Sequence, residues 1–168
     1  MTYSSAREML EACRSAAVER AYVLRRIERM RAAEGTAARS LGQRVSGTRD
    51  PHGMAATDAR VDYEASVAPR LAECDALLAA VGHLLFGAGD GDGGVQALMG
   101  RQVADVLDLR YRQAMSWPDV AARATLSVRA CQVKAAAAID LIDAHGMVAT
   151  VAGLGMAEDG WGQAGSLA

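Results

Sequence analysis

Between residues 127 and 134 the sequence gathers Ser127, Arg129, Gln132, Val133 and Lys134, side chains whose chemistry suits the reading of a nucleic acid. A guanidinium fork matches the acceptor edge of guanine and a carboxamide matches adenine, so Arg129, Gln132, Val133 and Lys134 are expected to reach base edges. Ser127, together with Arg123 and Arg112, is placed to hold phosphates, which fix register without reading sequence. Both roles require one exposed helical face and a frame that holds it up.

The frame is legible in the punctuation of residues 101–145. Ser116-Trp117-Pro118-Asp119 has a hydroxyl at the cap, proline in the first turn and an acid at the capping-box position, a strong start signal. Only Thr125 and Leu126 separate Ala124 from Ser127, a second cap. The spacing therefore predicts a first helix from about Val95 to Gln113, a short second one from Ser116, and a third from Ser127 to about Ala144. A short helix, a tight turn and a longer helix make the helix-turn-helix plan, whose last helix enters the major groove. Val120 and Ala121, the turn residue Leu126, and a stripe of Val128, Cys131, Ala135, Ala138 and Ile142 are expected to form its core.

Upstream, residues 5–34 hold neither proline nor glycine. Leu10, Cys13, Ala17, Leu24 and Ile27 form an apolar stripe flanked by Met9, Ala16, Val23 and Met30, which predicts a long amphipathic helix. Residues 35–56 carry several glycines and Pro51 and read as loop. Thr57 and Asp58 start a second helix to about Phe86, striped by Val61, Ala65, Ala68, Leu71, Ala72, Leu78, Leu85 and Phe86, with Pro69 inside it as a kink. Residues 1–49 contain ten Arg against five Glu, and residues 50–95 two Arg against eight acids. Opposite charge suits an antiparallel hairpin within one chain or between chains. Arg20, Arg25, Arg26 and Arg29 then form a solvated face against the acidic helix rather than a second DNA patch.

The expected fold is thus all-α: a coiled-coil-like helical hairpin over residues 1–94, a three-helix unit over 95–146, and a flexible tail over 147–168. Seven aromatic residues in 168 favour helix-on-helix packing over thick sheet cores. No run of about 18 apolar residues occurs, and the N-terminal residues lack the order of a signal peptide, so a cytoplasmic protein without a membrane partner is expected. Cys13, Cys74 and Cys131 are far apart, form no CxxC pair, and read as buried thiols.

Enzyme chemistry finds little footing. His52, His83 and His145 form no HExxH or other metal spacing, so no metal, cofactor or catalytic residue is expected. Gly87–Gly94 lacks the Gly-Lys-Ser/Thr of a phosphate loop. A calcium loop from Asp90 would lack its third acid and put Arg101 where glutamate belongs, so the segment reads as a linker.

Leu107-Asp108-Leu109-Arg110-Tyr111, then Met115-Ser116-Trp117-Pro118-Asp119-Val120-Ala121, then Leu126-Ser127 closely resembles the C-terminal promoter-reading domain (region 4) of sigma factors. With the long helical arm and Asp50-Pro51-His52, residues 5–145 are similar to small phage and prophage transcription regulators of the RinA and ArpU type. The resemblance implies a sigma-like fold, double-stranded promoter DNA as target, RNA polymerase as a partner and no catalysis. It assigns the reading role to Ser127, Arg129, Gln132 and Lys134, and the core role to Trp117, Val120, Ala121, Leu126 and Cys131. Two departures stand out. Thr125 occupies a turn position where such motifs usually have glycine, and the reading helix runs into Ala135–Ala138 with a single lysine.

Three other readings fit the same residues: a small terminase subunit of a DNA-packaging machine, an oligomeric scaffold or adaptor that binds no DNA, and a plain three-helix packing unit. Self-association through the N-terminal helices accompanies the first two and the regulator alike.

Overall fold

The computed structural model describes residues 3–41, 51–87, 93–146 and 150–151, the side chains of 35–41 and 51–55 excepted. All regular structure among them is helical: α1 (Ala6–Leu41), α2 (Pro51–Phe86), α3 (Gly94–Met99), α4 (Arg101–Leu107), a π-helical turn (Asp108–Arg112), α5 (Trp117–Ala124) and α6 (Val128–His145). No described helix is long and apolar enough to cross a membrane.

Two corrections concern helix ends. Helical backbone runs past Glu34 to Leu41 and resumes at Pro51, inside both margins of the segment read as loop. Gly35 costs a helix only about 1 kcal/mol relative to alanine, and Pro51 stands at a helix start, where its missing N–H is no loss. The helix expected over 95–113 is in fact divided. Gly100, at φ 88° and ψ 156°, separates α3 from α4, and after Leu107 the chain widens into the π-turn, where Gln113 N–H donates to the Asp108 carbonyl (3.0 Å).

The chain forms two compact units. The first takes in residues up to Val18 and those from Ala76 onward. Its core joins Met9, Leu10 and Cys13 of α1 and Val81, Leu84 and Leu85 of α2 to Val103, Val106, Leu107, Tyr111, Val120, Cys131, Ile139 and Ile142. A boundary near residue 94 therefore does not match the packing, because the ends of both long helices are structural members of the C-terminal unit. One fastening is explicit: Ala6 N–H at the start of α1 donates to the Asp143 carboxylate of α6 (2.7 Å).

Gly87–Gly94 also needs correction, since its described residues are packed rather than spacer. A Cβ at Gly87 (φ 82°) would stand 2.8 Å from the Gly93 backbone, and one at Gly94 (φ 73°) 2.6 Å from the Leu85 carbonyl. These glycines exist because backbones meet there. Residues 88–92 lie outside the described residues. Of the tail expected to be flexible, Thr150 and Val151 are buried, and Thr150 Oγ1 donates to the Gly146 carbonyl (2.7 Å). Residues 147–149 and 152–168 lie outside the described residues.

The second unit, Glu19–Asp75, is held by Val23, Ile27 and Cys74, all buried, and by cross-helix ion pairs. Arg70 holds Glu19 (2.8 Å), Arg20 holds Asp75 (2.5 Å), Arg31 holds Glu64 (3.1 Å) and Arg60 holds Glu34 (2.8 Å). Numbers rise on α1 as they fall on α2, so the strands of charge run antiparallel. Pairs so largely screened by solvent select the register more than they add stability. Arg26 lies over the Tyr63 ring at 4.4 Å.

The inward stripes match the expected ones in part. On α1 the expected Leu10, Cys13 and Ile27 are buried, with Ala6, Met9, Ala16 and Val23 beside them, whereas Leu24 is exposed. On α2 the expected Leu71, Leu78 and Leu85 turn inward, the first two half-buried and Leu85 buried with Cys74, Val81 and Leu84, whereas Val61, Ala65, Ala68 and Ala72 face solvent. Where a helix is apolar over most of its circumference, the larger side chains at alternating spacings of four and three win the core, and alanine gains too little from burial to compete.

Candidate nucleic-acid interface

The candidate site is built on local signals that all operate. Ser116 is the N-cap of α5: its Oγ accepts from Asp119 N–H (3.4 Å) and bonds the Asp119 carboxylate. Trp117 and Pro118 open the helix. Val120 and Ala121 are buried, with Trp117 and Leu126 packed against the core. The helix closes at Thr125, which stands in the left-handed region at φ 56° and ψ 41°, and Leu126 N–H returns to the Ala121 carbonyl (3.0 Å). Ser127 then caps α6, its Oγ accepting from Ala130 N–H (3.1 Å).

On α6 the buried face is Cys131, Ala135, Ala138, Ile139 and Ile142. Val128, expected in that stripe, is instead 37% exposed, because the first turn of α6 extends beyond the core. The opposite face presents Arg129, Gln132, Val133 and Ala136, all exposed, at the i, i+3, i+4, i+7 spacing of one helical side. Val133 is 60% exposed, a large aliphatic group standing between two hydrogen-bonding side chains. Lys134 is half-buried on the flank, where its ammonium partly offsets the burial that pushes the Cys131 thiol upward. Ser127 is exposed at the head of the helix, and Arg123 on the last turn of α5 lines an open cleft with Arg101, Asp105, Asp108 and Gln113.

Six of the seven residues read from sequence thus cluster at the α5–α6 corner, and the seventh does not. Arg112 is half-buried in the π-turn. Its Nε donates to the Leu78 carbonyl of α2 (3.0 Å), and its Nη1 engages Asp108. Those donors are spent inside the unit, so Arg112 is a brace rather than a phosphate ligand. A second arginine, missed in the sequence, fastens the corner itself: Arg110 lies over the Trp117 ring at 4.8 Å and donates from Nη1 to the Met115 carbonyl (2.8 Å). No local pattern marks it; only the π-turn aims it at α5.

The electrostatics of α6 are polarised. Arg129 and Lys134 sit in its N-terminal half, where unpaired backbone N–H groups add positive potential, and Asp140 and Asp143 in its C-terminal half. Among the described residues, no group of three or more His, Cys, Asp or Glu side chains could hold a metal ion. No protein-family model, curated protein or solved structure matches this chain.

Proposed function

We propose that the chain is a sequence-specific DNA-binding transcription regulator in which α5, the Thr125–Ser127 turn and α6 are a helix-turn-helix, in a chain whose α1 and α2 also form a helical hairpin. The observation that carries the proposal is the outward face of α6. Arg129, Gln132 and Val133 stand exposed directly after a tight, doubly capped turn, with no hydrogen bond or ion pair to another described residue. An aliphatic group such as Val133 packs on the thymine methyl in a major groove. Arg129 reads guanine, Gln132 adenine, and Ser127 and Arg123 hold flanking phosphates, joined by Lys134, which was expected at base edges but lies half-buried on the flank. Arg112 is left out of the interface.

The sigma-like string around Ser116 and Leu126 extends the proposal to promoter DNA, to RNA polymerase as a partner, and to a phage or prophage origin. The short basic inventory of α6 fits a protein that binds DNA beside a partner. The test is retention of DNA fragments from the neighbouring intergenic region by the purified protein at two salt concentrations, with unrelated DNA as competitor. Selective retention that weakens with salt is expected. Absence of binding both at low salt and in the presence of RNA polymerase would sink the proposal and favour an adaptor.

A further inference from the structure

The second unit leaves two outward patches unused. On α1, Tyr22, Arg25 and Arg29 are exposed and share the side turned away from Val23 and Ile27. On α2, Asp58, Val61, Asp62, Ala65, Ala68 and Ala72 are exposed and share the side turned away from Tyr63, Val67 and Cys74. Tyr22 is 52% and Val61 51% exposed. Among the described residues, the Arg25, Arg29, Asp58 and Asp62 side chains have no ion partner, whereas the neighbouring Arg20, Arg31, Arg60 and Arg70 are all engaged within the unit.

We infer that these patches bind each other between copies: the α2 patch of one chain seats on the α1 patch of the next, with Asp58 and Asp62 against Arg25 and Arg29, and Tyr22 lying across the alanines beside Val61. Charge decides the symmetry. A two-fold contact between α2 patches would oppose four carboxylates, and one between α1 patches four guanidiniums; only α1 on α2 joins unlike charges. The patches look away from their own hairpin partner, so no single two-fold contact brings both pairs together. The contact is therefore head-to-tail, and each chain carries one of each half, the condition for a ring or an open filament. Ala65, Ala68 and Ala72 permit close helix approach. The inference uses residues 22–72 alone and stands whether or not α6 binds DNA.

The test is the solution mass of the full chain and of charge-reversed variants. Wild type is expected to form oligomers that loosen with salt; a strictly monomeric wild type overturns the inference. Arg25→Asp/Arg29→Asp and Asp58→Arg/Asp62→Arg should each lose self-association, and mixing the two should restore it, because each unlike pair is then rebuilt between chains. Persistent self-association of the Arg25→Asp/Arg29→Asp variant would indicate a two-fold α2 contact and overturn the head-to-tail arrangement. Cross-linking provides a second readout that does not depend on charge. The native thiols are buried, so Tyr22→Cys and Ala65→Cys supply the exposed ones. An intermolecular disulfide is expected when the two variants are mixed and not from Ala65→Cys alone; the reverse result overturns the proposal.

Discussion

Arg112 Nε donates to the Leu78 carbonyl across 3.0 Å, tying the π-turn before α5 to the C-terminal half of α2. Gly82, one helical turn further along α2, leaves room for this contact; a Cβ there would stand 3.3 Å from the guanidinium carbon. Arg112→Ala should therefore lower stability by about 1.5 to 3 kcal/mol, the range for hydrogen bonds to charged groups, while DNA affinity of the folded fraction stays unchanged. Chemical denaturation and a binding titration on the same sample check this. Normal stability with weakened DNA binding would return Arg112 to the interface.

Arg129→Ala should weaken specific DNA binding by about 1 to 3 kcal/mol and relax selectivity at one base pair, whereas Arg123→Ala should weaken binding to all sequences and lower the salt slope by about one. Competition titrations against single-base variants of the site separate the two. Equal effects of both substitutions on cognate and unrelated DNA would remove the base-reading role from Arg129.

Thr125→Gly should stabilise the protein. A β-branched residue in the left-handed region carries strain of about 1 to 2 kcal/mol, and the extra freedom glycine gives the unfolded chain offsets about half of it. A net gain of about 0.5 to 1 kcal/mol is expected, read as a higher denaturant midpoint at unchanged slope. A lower midpoint would mean that the Thr125 side chain contributes more than its backbone costs.

Burial pushes the Cys13 thiol up to about 12, with Arg112 opposing the shift and Asp108 adding to it. Desolvation also raises Cys74, Cys131 and Tyr111. Each group is held neutral by the fold, so its contribution is fully present below its unfolded value, about 8.5 for cysteine, and is lost as pH climbs toward the folded one. Melting temperature should fall progressively above about pH 8.5. Thiol reagents at neutral pH should label none of the three cysteines until the protein is unfolded; prompt labelling would show that the core opens locally.

The corner at α5 and α6 was legible because its signals are local: Ser116, Pro118 and Ser127 act on backbone within a few residues of themselves. Arg112 was misread because its partner, Leu78, lies 34 residues away, and spacing says nothing about such a meeting. The stripes of α1 and α2 were legible only in part, for a different reason. Where alanine fills much of a helix, Leu24 and Val23 are equally plausible inward residues until the opposing helix chooses. Packed glycines look like a linker in sequence, since a residue chosen for lacking a side chain gives no sign of what it touches.

Gly87 and Gly93 meet, since a Cβ on the first would stand 2.8 Å from the Cα of the second. Two backbone points this close leave no distance for a connection to span. Lengthening a connection whose ends meet costs only closure entropy, about 0.6 kcal/mol per doubling. A passenger peptide spliced after Gly87 should leave the melting temperature nearly unchanged, whereas a single methyl at Gly93, 2.2 Å from the Val151 carbonyl, should lower it markedly. The position accepts length and refuses width.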